Sequence, residues 1–246
     1  MTDTMTPRVA LVTGGSGGIG RSVAERLAAD GMAVGVHYAG NKAKADDAVS
    51  AITAAGGRAI AIGGDVAREN DMTAAFDRVE QEFGGIDVVV NTAGIMLLSP
   101  LATLNLDDLD RMHRVNIRGT FVVSQQAARR VRSGGSIINF STSVAKLQFP
   151  TYSAYAASKG AVNAMTLVLA RELRGRDITV NAVAPGPTAT DLFLDGKDQS
   201  VIDNLSKVAP LERLGTPADI AEVVSFVAGP ARWINGQVLY VNGGAI

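Results

Sequence analysis

The stretch Val9-Ala10-Leu11-Val12-Thr13-Gly14-Gly15-Ser16-Gly17-Gly18-Ile19-Gly20 decides how this chain reads. A short apolar run, 9–12, stops on glycines, and Ile19, Val23 and Leu27 then recur four apart, the spacing of a helix packed on a sheet. Glycines between a strand and a helix permit a tight turn and let backbone N–H groups approach a pyrophosphate, to which the helix N-terminus adds partial positive charge. Residues 15–20 fit the dinucleotide fingerprint G-x-G-x-x-G, and Gly14, Gly18 and Gly20 fit the related G-x-x-x-G-x-G. A triphosphate P-loop over 15–22 fails on Arg21, which stands where Lys should be. A hydrolase elbow, G-x-S-x-G over 14–18, needs a later His, and the chain has only His37 and His113. A glycine-rich turn without a ligand is the plain alternative; the dinucleotide reading is favoured, with Gly14, Ser16, Gly18, Ile19 and Gly20 as candidate contacts.

Outward from this turn the chain alternates. Strands are expected over 9–12, 33–36, 58–62, 87–90, 136–140, 178–183 and 237–241, and helices over 19–30, 42–55, 69–83, 112–131, 155–173 and 217–228. The strands are continuous apolar runs, as expected for a parallel sheet covered by helices on both faces. The expected fold is α/β, a doubly wound parallel sheet of the Rossmann type. No linker rich in Pro, Gly or Ser divides the sequence, so 1–246 reads as one domain.

Composition narrows the function classes. The 246 residues carry 23 Lys and Arg against 24 Asp and Glu, a formal charge of −1 that gives no electrostatic case for nucleic acid. Hydrophobic residues at 47 % supply a core. The absence of Cys excludes disulfides, thiolate metal sites and Cys nucleophiles, and two His make a His-rich zinc site unexpected, so no metal is assigned. No apolar run is long enough to span a bilayer, and 1–8 is polar, without a signal segment. The expectation is a soluble cytoplasmic protein.

An acid at the end of the second strand would accept hydrogen bonds from the adenosine ribose of NAD. Val36-His37-Tyr38-Ala39-Gly40-Asn41-Lys42 has none, and Asn41 and Lys42 could donate to a 2′-phosphate. With Tyr38 they are the candidate contacts there, favouring NADP(H) and leaving NAD(H) open. Further on, Tyr155 and Lys159 stand four apart at a helix start and so share a face. A nearby ammonium lowers a phenol's pKa and makes it useful as a general acid/base. Tyr152 lacks such a partner, because Ala156 follows it by four.

In these residues the chain resembles the short-chain dehydrogenase/reductase family, over nearly its whole length. The resemblance rests on Thr13-Gly14-x-x-x-Gly18-Ile19-Gly20, Asp65-Val66, Asn91-Thr92-Ala93-Gly94, Asn116, Tyr155-x-x-x-Lys159, Asn181, Pro185-Gly186 and Val241-Asn242-Gly243-Gly244. It implies that Tyr155 exchanges a proton with the substrate carbonyl or alcohol. Lys159 would lower the Tyr pKa and bond the nicotinamide ribose, and Asn116 would hold a water in a relay toward Lys159. Asp65 and Val66 would meet the adenine. Asn91, Ala93 and Gly94 would line the cofactor cleft, Asn91 also bracing the central strands, and Pro185, Gly186, Thr188 and Thr190 would flank the nicotinamide. It also implies a homotetramer.

One departure matters. The Ser usual thirteen residues before the Tyr is here Thr142, flanked by Ser141 and Ser143. A Thr hydroxyl donates the same bond but adds a methyl and a stiffer χ1. Thr142 is the favoured residue, with Ser143 the alternative after a one-residue shift. Thr92 stands where the family often has Asn. The segment 188–206 is expected to be a mobile lid, with Leu192, Phe193 and Leu194 forming an apolar rim with Leu147 and Phe149. Trp233 is expected in the core or a subunit interface, His113 on a helix surface or interface and His37 at a strand end; Asp107, Asp108 and Asp110 are expected to solvate a helix start. The function read from all this is NADPH-dependent reduction of a carbonyl to a secondary alcohol, near the 3-oxoacyl carrier-protein reductase branch, on a small-molecule substrate and with no nucleic-acid or membrane partner. A cofactor-binding sensor with the same fold and no turnover is the rival.

Overall fold

The computed structural model describes residues 7–246, so the polar stretch 1–8 lies outside it except for Pro7 and Arg8. Seven strands form one sheet: β1 (Val9–Thr13), β2 (Ala33–Tyr38), β3 (Arg58–Gly63), β4 (Ile86–Asn91), β5 (Val131–Phe140), β6 (Thr179–Pro185) and β7 (Val238–Val241). Their order is β3-β2-β1-β4-β5-β6-β7, and every pairing is parallel. The order reverses between β1 and β4, the switch point where a crevice opens beyond the strand ends.

The helices are α1 (Gly18–Ala29), α2 (Lys42–Ala54), α3 (Glu69–Phe83), α4 (Leu106–Met112), α5 (Gly119–Arg130), α6 (Val144–Leu147), α7 (Ser153–Glu172), α8 (Asp191–Leu194), α9 (Gln199–Ser206) and α10 (Pro217–Ala228). Period-2 alternation sorts the strand side chains into two cores. Ala10, Val12, Val88, Val90 and Ile138 face α1, α2 and α10, while Val9, Leu11, Val89 and Ile137 face α3, α5 and α7. Burying both faces explains the apolar runs at 9–12, 88–90 and 137–138.

The helix expected over 112–131 begins earlier. Asn105 accepts from Asp107 N at 2.9 Å and starts α4, with Asp107 and Asp108 in its first turn as expected of acids there. A π-helical segment, His113–Arg118, then joins α4 to α5. No periodicity argument finds such a segment, and it carries Asn116. The strand expected over 136–140 starts at Val131. His37 is buried inside β2 rather than ending it, and Trp233 is fully exposed, which removes the core reading. No helix among the described residues is long and apolar enough to cross a membrane, and none of their acidic and His side chains cluster as a metal site would.

Candidate active site

The crevice at the strand ends is a cleft of about 390 Å³. One wall is the glycine turn. Gly14 and Gly18 hold positive φ, +66° and +52°. At Gly20 an added Cβ would stand 2.2 Å from Gly14 O, so only glycine lets α1 cross the turn this closely. Gly17 caps α1 in extended conformation with no side-chain cap, leaving the first-turn N–H groups without that partner. Nothing lies within 4 Å of a Cβ at Gly17. A cradle of free donors at a helix N-terminus suits a pyrophosphate.

Gly14, Ser16, Gly18, Ile19, Gly20, Ala93, Gly94, Thr142, Tyr155, Lys159, Pro185, Gly186, Thr188 and Thr190 all line this cleft. Thr92 lines it too; its Oγ1 donates to Thr13 O at 2.5 Å, bracing the turn. The other expected residues stand behind or beside it. Asn91 is buried between strands, accepting from Thr13 Oγ1 at 2.6 Å and donating to Thr120 Oγ1 at 3.1 Å, the bracing role expected of it. Asp65 pairs with Arg114 and accepts from Ala67 N at 2.9 Å, and Val66 is buried. Tyr38 packs on Gly63. Asn41 spends its carbonyl capping α2 at Lys44 N, and Lys42 pairs with Asp46 at 2.7 Å. The cation of α2 that lines the cleft is instead Lys44, two residues on.

At the other side of the cleft α7 begins at Ser153 and puts Tyr155 and Lys159 on one face. Lys159 is buried, and its Nζ donates to Phe140 O at 2.8 Å. Burial pulls its ammonium down to about 8. Tyr155 keeps part of its surface open to the cleft while protein crowds the hydroxyl; burial pushes the phenol up to about 12, and a hydrogen bond with the Thr142 side chain opposes the rise. Desolvation of the phenol outweighs the lowering expected of Lys159. The amine lies 5.9 Å from the ring centroid and is itself destabilised as a cation by burial, so desolvation of the phenol wins.

Thr142 and Ser143 separate cleanly. Thr142 lines the cleft, whereas Ser143 Oγ donates to Ala184 O at 3.1 Å and accepts from Asn242 Nδ2 at 3.1 Å, outside the lining. Asn116 is fully buried: its Oδ1 accepts from Ile95 N and its Nδ2 donates to Ile95 O, each at 2.9 Å, and Nδ2 also donates to Ser158 Oγ at 3.1 Å. A Cβ at Gly94 would meet Asn116 Oδ1 at 3.2 Å and Lys159 Nζ at 3.4 Å, so a side chain there would wedge between them. Apolar side chains form the remaining wall: Met96, Phe149, Tyr152, Leu192, Phe193 and Leu205. Phe149, Tyr152 and Tyr155 stack edge to face in sequence, at 6.0 and 6.4 Å. Met96, Leu205, Lys44 and Asp191 escaped the sequence reading, because nothing in their spacing distinguishes them from ordinary loop and surface residues.

A doubly wound sheet with a glycine cradle at its switch point and a Tyr–Lys pair across the cleft defines an α/β protein of the dinucleotide-binding class. A family model described as enoyl-(acyl carrier protein) reductase matches residues 14–245. A short-chain type dehydrogenase/reductase of Picea abies is 43 % identical over 97 % of this chain and 92 % of its own. An NADPH-dependent aldehyde reductase-like chloroplastic protein of Arabidopsis thaliana is 38 % identical over 97 % of this chain and 94 % of its own. Among solved structures, a short chain dehydrogenase from Burkholderia cenocepacia in complex with NADP superposes with a TM-score of 0.91 at 43 % identity, covering 97 % of each chain. The chain belongs to the short-chain dehydrogenase/reductase family of oxidoreductases.

Proposed function

We propose that this protein reduces a carbonyl compound to an alcohol with NADPH. The observation that carries the reading is the convergence of Thr142, Tyr155 and Lys159 on one wall of the cleft that also holds the glycine cradle. A nicotinamide, held by Pro185, Gly186, Thr188 and Thr190, would supply the hydride for the carbonyl carbon. The phenol, pushed up by burial, holds its proton on Oη at neutral pH and delivers it to the carbonyl oxygen. Lys159 stabilises the phenolate left behind, and Thr142 Oγ1 donates to the same carbonyl oxygen and polarises it. The Lys159 ammonium then passes a proton to the phenolate, and Asn116, clamped to Ile95 beside Lys159, orients the water through which the amine regains it.

Several observations support NADP(H) over NAD(H): no carboxylate occupies 36–42, Lys44 lines the cleft, and the Burkholderia relative was solved with NADP. Asp65, Val66, Tyr38 and Asn41 belong to the adenosine end, and Pro185, Gly186, Thr188 and Thr190 to the nicotinamide end. The apolar wall and the aromatic chain favour an uncharged, apolar carbonyl substrate. Residues 188–206 serve as its lid: α8 and α9 contain no buried residue and turn Leu192, Phe193 and Leu205 toward the cleft. A homotetramer is part of the proposal, supported by exposed Phe121, Leu167 and Val168 on α5 and α7 and exposed Phe226 and Trp233 near the C-terminus. Light scattering of the eluted protein tests it, with four-chain mass expected.

The test of the activity is loss of reduced-coenzyme absorbance with a panel of apolar aldehydes and ketones, NADPH and NADH in parallel. Oxidation of NADPH on carbonyl addition is expected. Coenzyme binding without oxidation across the panel would overturn the enzymatic reading in favour of the sensor.

A further inference from the structure

Among the described residues, Lys44 and Lys159 are the cations that line the cleft, and Asp191 is its carboxylate. Lys159 is committed to Phe140 O, but Lys44 is not committed to its own helix. It stands in the first turn of α2, and its Nζ reaches Asp191 Oδ2 at 3.4 Å, across 147 residues of sequence. Asp191 is the first residue of α8, behind Thr190, and Thr190 Cγ2 lies 3.5 Å from where a Cβ of Gly18 would be. The contact therefore ties the start of the lid to the coenzyme half of the sheet directly beside the glycine turn. Both side chains are open to solvent, at 55 % and 94 %, so the pair contributes little stability and exchanges partners readily. Lys42 differs in each respect. Both Asp46 oxygens hold its Nζ, at 2.8 and 2.7 Å, one turn along the same helix and outside the cleft lining.

We infer that Lys44, not Lys42, is the cation that receives a coenzyme phosphate, and that Asp191 is the placeholder it leaves when the phosphate arrives. A carboxylate at 3.4 Å is a weaker partner than a phosphate, which offers more charge and charge-assisted hydrogen bonds. The exchange frees Asp191 and so couples coenzyme arrival to the tether of the lid. The inference rests on the coenzyme reading above. The phosphate is either the 2′-phosphate or the pyrophosphate, and NAD+, which lacks the first, separates them.

The test is calorimetric binding of NADP+ and NAD+ to the full-length protein, with K44Q, D191N, the double variant and K42Q, and needs no turnover. K44Q is expected to weaken NADP+ by about tenfold, the loss of one charge-assisted bond, and K42Q to leave it within about twofold. NAD+ unchanged in K44Q assigns the 2′-phosphate; NAD+ weakened equally assigns the pyrophosphate. D191N is expected to tighten NADP+ by about two- to threefold in the wild-type background and to have no effect on top of K44Q, since the competition needs both partners. Unchanged affinity for both dinucleotides in K44Q, or an equal D191N effect in both backgrounds, overturns the inference while leaving the coenzyme reading intact. A wild-type protein that binds neither dinucleotide overturns the coenzyme reading and this inference with it. Both residues are exposed, so unaltered melting temperatures should accompany these changes.

Discussion

The floor of the cleft and the segment 188–206, proposed as its lid, are built on opposite principles. On the floor, Lys159 is fixed by a backbone carbonyl, Asn116 by two backbone bonds and Gly20 by a contact no other residue could make. The lid has two helices of four and eight residues, neither with a buried residue, and an exposed ion pair reaching back to α2. The difference separates duties. Proton handling needs groups held in place and kept from water, which only the buried floor provides. Admission of coenzyme and substrate needs a piece that opens cheaply, a duty the thin packing of the proposed lid suits.

Substitutions can break or sharpen this division. Tyr155→Phe removes the proton donor and should lower kcat by about a thousandfold while leaving NADPH affinity unchanged, as single-turnover and binding measurements would show. A kcat within about threefold of wild type would move the chemistry off the floor. The next effect is on stability. His37 is buried at the adenosine end of the floor, and burial pulls its imidazole down to about 4, although the Gly64 backbone, Asp65 and Asp71 favour the proton. An unfolded His titrates near 6.5, so between these values the unfolded chain binds more protons. Stability present above pH of about 6.5 is then lost as pH falls toward about 4, by about 3 kcal/mol in total. Urea melts across that window should show the slope in the wild type and its loss in His37→Leu.

Thr142→Val deletes one hydrogen-bond donor and should cost about ten- to a hundredfold in kcat, whereas Thr142→Ser should keep most of it. Equal rates for the two variants would remove Thr142 from the reaction. The smallest effect belongs to the lid. Phe193→Ala should raise the KM of an apolar ketone a few-fold, with kcat and stability nearly unchanged, stability within about 0.5 kcal/mol. A large stability loss there would show the lid to be part of the packed structure.

The same division governs what the sequence discloses. Floor elements advertise themselves. The glycine turn is dictated by contacts such as the one at Gly20, and Tyr155 and Lys159 are related by helical periodicity alone. Apolar runs identify the strands, and burial on both faces demands them in the central ones, whereas the edge strands β3 and β7 are only partly buried. What stays hidden depends on long-range geometry. The π-helical segment at His113–Arg118 has no periodic signature. Lys42 has an acid four residues on, Asp46, and Lys44 has Ala48, but the partner Lys44 reaches instead, Asp191, lies 147 residues away. Ser143 and Thr142 are neighbours whose roles diverge because Ala184 and Asn242 claim one hydroxyl and the cleft exposes the other.

If Tyr155 and Lys159 handle the proton as one unit, the pH dependence of kcat/KM for carbonyl reduction by NADPH must report the buried amine. Burial sets the amine at about 8 and the phenol at about 12. A plateau is expected below pH of about 8 and a decline above it, as Lys159 loses the charge that supports the phenolate. A profile that stays level from pH of about 8 to about 10 would contradict it.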